Sequence, residues 1–592
     1  MAEALISPGV FLRENDQSQI TQGPVAAGAA LVGPTVVGPT NTPTVVTSYS
    51  QYKALFGTTF TSGGLTYEYL TSLAAYNYFQ QGGESLLVTR VTSGSYTPAN
   101  ANVRSTLGSG FPSFELETLS VGDVMNNDAD AAFAVNGILP SGSAMNIRWE
   151  ISQVDPASGL FTLLIRRGDD YQSSKTVLET WSNISLDPNQ NNYISYVIGD
   201  QKKVIMTDEF GDKYFETVGN YRNVSNYVRI NQVYRPTPNY LNPQGQAYSY
   251  YTASLPALGS GSTNGSFGSA AGPMHGCLRN DGTATAPLNM YQAIPTTPAD
   301  TDAENIQGLR ANDYSTAFNL LRNKDEYDYN AIFVPGLTSQ NGPGEIGTLL
   351  TNTQDRGDAI AVIDVVGYGQ QITTATTAAQ GYDNSYAATY WPWVQLRSPE
   401  TGKQVYVPPS AIIPAVYEYN DKVSAEWFAP AGINRGGLPT VLQPERRLTV
   451  GQRNILYGAK VNPIATFPGI GTVVYGQKTL QARASALDRV NVRRLLIALK
   501  RYIGQIAETL VFEQNTAVTR NAFLSQVNPY LEYVQQKQGL YAFRVVMDDT
   551  NNTPDVIDRN ILVGAIYLQP TKTAEFIQLD FNVLPTGATF NQ

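Results

Sequence analysis

The chain has 592 residues, a formal net charge of -10, and 42% hydrophobic, 10% aromatic and 15% charged residues. That length exceeds one hydrophobic core and implies roughly three or four domains; the apolar fraction excludes a disordered chain, and the acidic balance argues against a nucleic-acid or anionic-membrane binder, which needs Lys and Arg in excess. The single cysteine, Cys277, excludes an intrachain disulfide framework and a thiolate zinc cluster. The N-terminus Met1-Ala2-Glu3-Ala4-Leu5-Ile6 has no basic n-region and no apolar h-region, and no window approaches a membrane-spanning apolar run, so the expectation is a soluble protein made in the cytoplasm without Sec export. Tyr is abundant, 36 against 21 Phe and 5 Trp, which suits polar, aromatic-rich contact surfaces.

In chain order, Ser7-Pro8-Gly9-Val10-Phe11-Leu12-Arg13-Glu14 reads as a turn leading into a short extended piece. Ala26 to Val32 is a small apolar run and Thr44 to Thr47 a short strand. Ser48 is placed to cap a helix running through Phe56 and stopping at Gly57. Leu65, Tyr69, Leu73, Tyr76 and Phe79 follow helical spacing up to Gly82-Gly83, and Ser85 to Val91 reads as a buried strand. From about residue 98 the texture changes to short runs, Phe114–Leu119, Asn146–Val154, Leu160–Arg166 and Tyr193–Ile198, with hairpin-turn chemistry at Asp155-Pro156-Ala157-Ser158-Gly159. This predicts an inserted all-β region. Residues 201 to about 310 are less legible, and Gly259 to Gly276 reads as a long exposed loop.

Order returns with an apolar strand from Ala331 to Gly336, a helix near Glu345–Arg356 and a second strand over Ala359–Asp364, the pattern of a βαβ unit in a partly parallel sheet. After Asp488, Val492, Leu495, Leu496, Leu499, Ile503, Ile506 and Leu510 step by threes and fours and predict an amphipathic helix. Arg493 with Lys500, and Arg494 with Arg501, form basic rows outside that stripe, with Arg489 on the flank; a plainly solvated face is the alternative. A helix through about Gln535, a strand near Phe543–Val546 and another over Ile561–Leu568 follow. The chain closes on Ala574 to Val583, where Ile577, Leu579, Phe581 and Val583 alternate with polar residues. Such a strand either closes the chain's own sheet or is donated to a neighbour.

The order of these signals resembles the tail sheath proteins of contractile phage tails and related injection systems. The resemblance is carried by Ser7-Pro8-Gly9-Val10, Gly28-Ala29-Ala30-Leu31-Val32-Gly33, Pro43-Thr44-Val45-Val46-Thr47-Ser48, Leu55-Phe56-Gly57, Arg356-Gly357-Asp358, Tyr390-Trp391-Pro392-Trp393, Val407-Pro408-Pro409-Ser410 and Trp427-Phe428-Ala429-Pro430. It continues through Asn462-Pro463-Ile464, Tyr475-Gly476-Gln477-Lys478-Thr479-Leu480, Asn491-Val492-Arg493-Arg494-Leu495 and Phe512-Glu513. Tyr475-Gly476-Gln477 departs from an aromatic-Gly-Ala pattern, and residues 201–310 match weakly.

The resemblance implies an α+β multidomain chain: a conserved α/β core made of a subtilisin-like sheath domain and a C-terminal α+β domain, with inserted all-β domains and extended N- and C-terminal arms. The divisions expected are an arm at 1–24, core at 25–97, a β-rich outer domain at 98–205, a second insert and Gly/Ser-rich loop at 206–310, the subtilisin-like domain at 311–475, the C-terminal domain at 476–572 and an arm at 573–592. It implies no enzyme and no cofactor, but a virion subunit, made in the host bacterial cytoplasm, that stacks in hexameric rings around a tail tube. Neighbouring sheath subunits, the tube protein, and baseplate and terminator proteins are the partners, with no nucleic acid and no membrane insertion. Val10, Phe11, Leu12, Ile577, Leu579, Phe581 and Val583 are the expected strand donors; Arg489, Arg493, Arg494, Lys500 and Arg501 are the candidates for touching an acidic tube.

Other chemistry is weaker. A Ser-His-Asp triad needs a histidine, and the only one, His275, lies in the Gly/Ser-rich loop beside Cys277. Those two ligands lack the further pair a structural zinc requires. Gly469-Ile470-Gly471 lacks the spacing of a dinucleotide fingerprint. A tail-associated receptor-binding or glycan-degrading protein using residues 98–310 is the alternative function.

Overall fold

A computed structural model describes residues 25–62, 65–92, 98–120, 147–168, 170, 173–209, 211–262, 277–280, 291, 293–294 and 310–575. Its centre is an eight-stranded sheet in the order Thr44–Val46, Leu86–Arg90, Val25–Gly33, Tyr327–Thr338, Ile360–Asp364, Ala387–Trp391, Val461–Phe467, Gly471–Val474. The two outermost strands pair antiparallel and every inner pair is parallel.

Burial on both faces explains the unbroken apolar runs in these strands. Ala29, Leu31, Phe333, Ile360 and Val362 point into one core with the Leu70–Gln80 and Ile413–Val423 helices; Ala30, Val32, Ile332, Val334, Ala361 and Ile363 point into a second with the Tyr314–Leu320, Pro343–Arg356 and Ile372–Gln380 helices. The result is three layers, helices on both sides of a sheet.

The local expectations for this body are met at several points. Ser48 caps the Tyr49–Phe56 helix by accepting from the Gln51 N–H, and Gly57 ends it. The Pro343–Arg356 helix stops at Gly357, left-handed at φ 71°, a conformation in which a Cβ is strained. Arg356 is buried there, held by Asp358 at 2.8 Å and by the Leu321 and Tyr327 carbonyls, so Arg356-Gly357-Asp358 is a turn before a strand. One expectation fails. Leu65–Tyr69 is a strand, and the helix starts only at Leu70, because Thr59–Ser62 and Cys277–Asn280 offer ladder partners on either side and Phe60 stacks on Tyr67 and Tyr69. Tertiary pairing overrides the helical spacing.

Asp364 ends a central strand, wholly buried, and accepts from the Ser410 backbone N–H at 3.1 Å and the Ser410 hydroxyl at 2.5 Å. Burial pushes its carboxyl up to about 7 against those hydrogen bonds. A raised folded pKa means that the stability it contributes is complete below the ordinary value of 3.8 and is lost as pH rises through about 7. Asp364→Asn, which cannot ionise, should therefore gain stability relative to the wild type between pH 5 and pH 8. Thermal melts at the two pH values check this, and an unchanged difference in Tm would show that folded Asp364 is already ionised at pH 5.

Residues 98–262 build separate antiparallel sheets, Asn100–Ser105/Gly108–Thr118/Val228–Val233 and Ile147–Asp155/Leu160–Arg167/Val177–Ser185/Gly259–Ser262, plus the hairpin Lys202–Thr207/Lys213–Val218. Val103, Phe114, Leu116, Ile151, Phe161, Leu163 and Ile230 share one core. The turn at Asp155–Gly159 joins the two strands expected of it, and Gly159 sits at φ 76° where a Cβ would meet the Tyr240 ring at 2.6 Å. Two readings change. Tyr193–Ile198 contains a short helix, Ile194–Ile198, which buries Ile194 and Ile198 one turn apart, and Gly259–Ser262 pairs with Trp149 and its neighbours instead of looping out. Residues 263–276, with His275, lie outside the described residues.

The C-terminal part holds the Val490–Glu508 helix, the Ala517–Gln536 helix and a hairpin, Leu540–Val546 with Ala565–Pro570. Phe523, Val527, Leu531 and Val534 recur at helical spacing and pack with Leu495, Leu499, Ile506, Leu540 and Trp427.

Candidate assembly site in the C-terminal part

The Val490–Glu508 helix is apolar on more than the single stripe its spacing suggests. Leu495, Leu499 and Ile506 face the C-terminal core, whereas Val490 and Ile497 belong to the core on one face of the large sheet. Its first turns are therefore wedged between two bodies. This overturns the expectation of open basic rows. Arg493 and Arg494 are each 4% exposed. Arg494 forms a two-pronged pair with Asp421 of the Ile413–Val423 helix, one prong at 2.9 Å, and stacks over the Tyr417 ring at 4.7 Å. Arg493 lies over the Tyr386 ring at 4.0 Å and donates to the Ser385 hydroxyl.

Arg501 pairs with Asp328 at 2.7 Å and also bonds Asn330. Arg489 pairs with Asp488 and with Glu575. Lys500 is exposed and, among the described residues, reaches the Tyr386 hydroxyl at 3.1 Å. Four of the five cations thus hold the subunit together internally, and Lys500 presents its ammonium to solvent.

The charge around Arg494 is lopsided. Asp421, Glu418 and Glu426 surround one guanidinium, and Glu418 is pushed up to about 7, first by burial and then by the Asp421 charge. Burial likewise raises Glu426, with Arg494 opposing it. Spacing arguments missed Asp421, Glu575, Tyr457 and Gln477. Only Gln477 carried a signal, through its place in Tyr475-Gly476-Gln477-Lys478.

The hairpin is the second feature. It has two strands, and no third strand pairs with either edge among the described residues, although the Gln535 side-chain amide donates to the Tyr541 carbonyl at 2.8 Å. Phe543, Val545, Ile566 and Leu568 pack on the C-terminal core, while Tyr541 and Tyr567, 64% and 63% exposed, face outward. A two-stranded ribbon without a third strand on either side is a ready acceptor of further strands. The chain then leaves it through Thr571, Thr573 and Glu575, each of which bonds elsewhere in the subunit. The expected donor residues, Val10, Phe11, Leu12, Ile577, Leu579, Phe581 and Val583, lie outside the described residues. Cys277 is buried in its strand, and among the described residues no three His, Cys, Asp or Glu side chains gather as a metal site.

Two family models match side by side: the phage tail sheath protein central domain over residues 307–480 and the phage tail sheath C-terminal domain over residues 483–583. The chain is 43% identical over 185 residues to the tail sheath protein of Vibrio phage KVP40, covering 31% of this chain, and 41% identical over 187 residues to that of Enterobacteria phage T4, covering 32%. The chain spans 28% of the length of each of these two relatives. A crystal structure of the sheath tail protein from Listeria innocua aligns over 92% of this chain and 95% of its own length, with a TM-score of 0.49 and 9% identity. With both sheath domain models matched in tandem, residues 307–583 of the chain are similar to the contractile tail sheath family.

Proposed function

We propose that the chain is a structural sheath subunit, not an enzyme, which polymerises as stacked hexameric rings or a six-start helix around a tail tube and contracts to drive the tube through a host envelope. The observation that carries this reading is the two-stranded hairpin, which pairs with no third strand among the described residues, beside the point where the C-terminal segment departs. A strand from a neighbour's terminus completes such a sheet by main-chain hydrogen bonds and makes a directional link. A link of this kind repeated between subunits does not close on itself and generates a helical array.

In this reading residues 1–24 and 573–592 are arms, residues 25–97 and 311–475 form one subtilisin-like body, 98–205 and 206–310 face outward and 476–572 faces the tube. The parallel sheet shared by residues 25–90 and 327–474 supports the joint body. Lys500 makes the weak electrostatic contact with an acidic tube surface, the other partners being baseplate and terminator proteins. The extended lattice is a kinetic trap that relaxes on contraction, while the arms act as hinges between rotating bodies.

Negative-stain microscopy of the purified protein tests the reading. Hollow, striated cylinders are expected. Discrete trimers or monomers under all conditions would overturn it in favour of a tail-associated receptor-binding or glycan-degrading protein using residues 98–310.

A further inference from the structure

Glu575 has its carboxylate filled. Oε1 accepts from Arg489 Nε at 2.6 Å and Gln477 Nε2 at 3.1 Å; Oε2 accepts from Arg489 Nη2 at 3.0 Å and the Tyr457 hydroxyl at 2.8 Å. A carboxylate offers about four lone-pair sites, so all of them are used. The donors come from three places: Tyr457 from the helix leading into the Val461–Phe467 strand, Gln477 from just after the edge strand Gly471–Val474, and Arg489 from the start of the long helix. Two of these lie in the central family domain and one in the C-terminal domain.

The residues leading to Glu575 follow the same rule. Thr571 Oγ1 donates to the Gln538 carbonyl at 2.7 Å and Thr573 Oγ1 accepts from Gln477 at 2.6 Å. Alternate residues of this segment, Thr571, Thr573 and Glu575, therefore bind their own subunit. In sequence the same alternation continues with Ile577, Leu579, Phe581 and Val583, where the polar set gives way to an apolar one.

We propose that Glu575 is the anchor of the C-terminal arm: a clasp that joins the central and C-terminal domains and passes tension along the arm into the edge of the large sheet, so that the hairpin is not peeled from its end. This rests on the sheath reading. The chemistry selects a carboxylate. A glutamine would turn one acceptor atom into a donor facing donors. Burial opposes ionisation of Glu575, but hydrogen bonds from Arg489, Tyr457 and Gln477, with the Arg489 charge, hold its carboxyl below the ordinary range. The clasp is thus closed at neutral pH and opens as pH falls through that lowered value.

Amide hydrogen exchange of the full-length subunit is the test. In Glu575→Gln and Arg489→Lys, exchange of the Thr571 amide, which donates to the Gly539 carbonyl at 3.2 Å, should rise at least tenfold, with residues 517–536 unchanged, and the double variant should add little to either single one. The subunit melting temperature should move little. Unchanged protection of the Thr571 amide, or an equal rise across 517–536, would overturn the proposal, the second by showing a general stabilising role. Sheaths assembled from Glu575→Gln should also fragment under milder shear than wild-type sheaths; equal resistance would remove the mechanical role. A wild type that never forms cylinders would refute the sheath reading alone, since the exchange result is read on the subunit.

Discussion

Replacing Arg494 by alanine should lower folding stability by about 3–5 kcal/mol, the scale found when one partner of a buried ion pair is removed. Its side chain is 5% exposed and the Asp421 side chain 19%, so Asp421 would be left facing Glu418 and Glu426 without a counter-charge. The urea midpoint of the isolated subunit measures the loss. Arg494→Lys keeps the charge but not the planar fork and should recover part of it. A loss under about 1 kcal/mol would place the pair with solvent-screened surface bridges instead. The consequence for function is direct: charge reversal at Arg493 or Arg494 disturbs folding before it can report on a tube. Lys500→Glu isolates the surface, and an unchanged salt dependence of sheath assembly on tubes in that variant would remove Lys500 from the contact.

Deleting residues 577–592 should abolish polymerisation while leaving a folded subunit with an unchanged melting temperature. The cut falls beyond Glu575, so the internal contacts of Thr571, Thr573 and Glu575 survive. What is lost is the intersubunit strand: several main-chain hydrogen bonds at roughly 1 kcal/mol net each, and Ile577, Leu579, Phe581 and Val583 at roughly 1.5–3 kcal/mol each if fully buried. Every 1.4 kcal/mol is about tenfold in association, so the array has no means of forming at ordinary concentrations. Sheaths of normal length from the truncated chain would sink strand donation.

Much of the fold was legible because it is written in short-range periodicity. Ala331–Gly336, Glu345–Arg356 and Ala359–Asp364 form the parallel βαβ unit expected of them, and Ser48 and Gly57 bound their helix as their chemistry dictates. The failures share one cause. Leu65–Tyr69 and Ile194–Ile198 are short segments whose state was chosen by partners distant in sequence, strands on both sides in the first and a buried pocket for Ile194 and Ile198 in the second. The Val490–Glu508 helix was expected and found, but its moment describes one buried side, and the first two turns have two.

The amino-acid sequence by itself determined the α/β character of the central body, the helix stops and the apolar alternation of the terminal segment, because each depends on residues within a few positions of one another; the resemblance to sheath proteins rests instead on the order of many short motifs along the chain. Only the tertiary structure decided what the arginines do. Arg494 meets Asp421 from 73 residues away and Arg489 meets Glu575 from 86. No spacing rule reaches that far, since such pairs are set by how two packed bodies close on a helix, and that closure converts an apparent surface row of positive charge into internal fastenings.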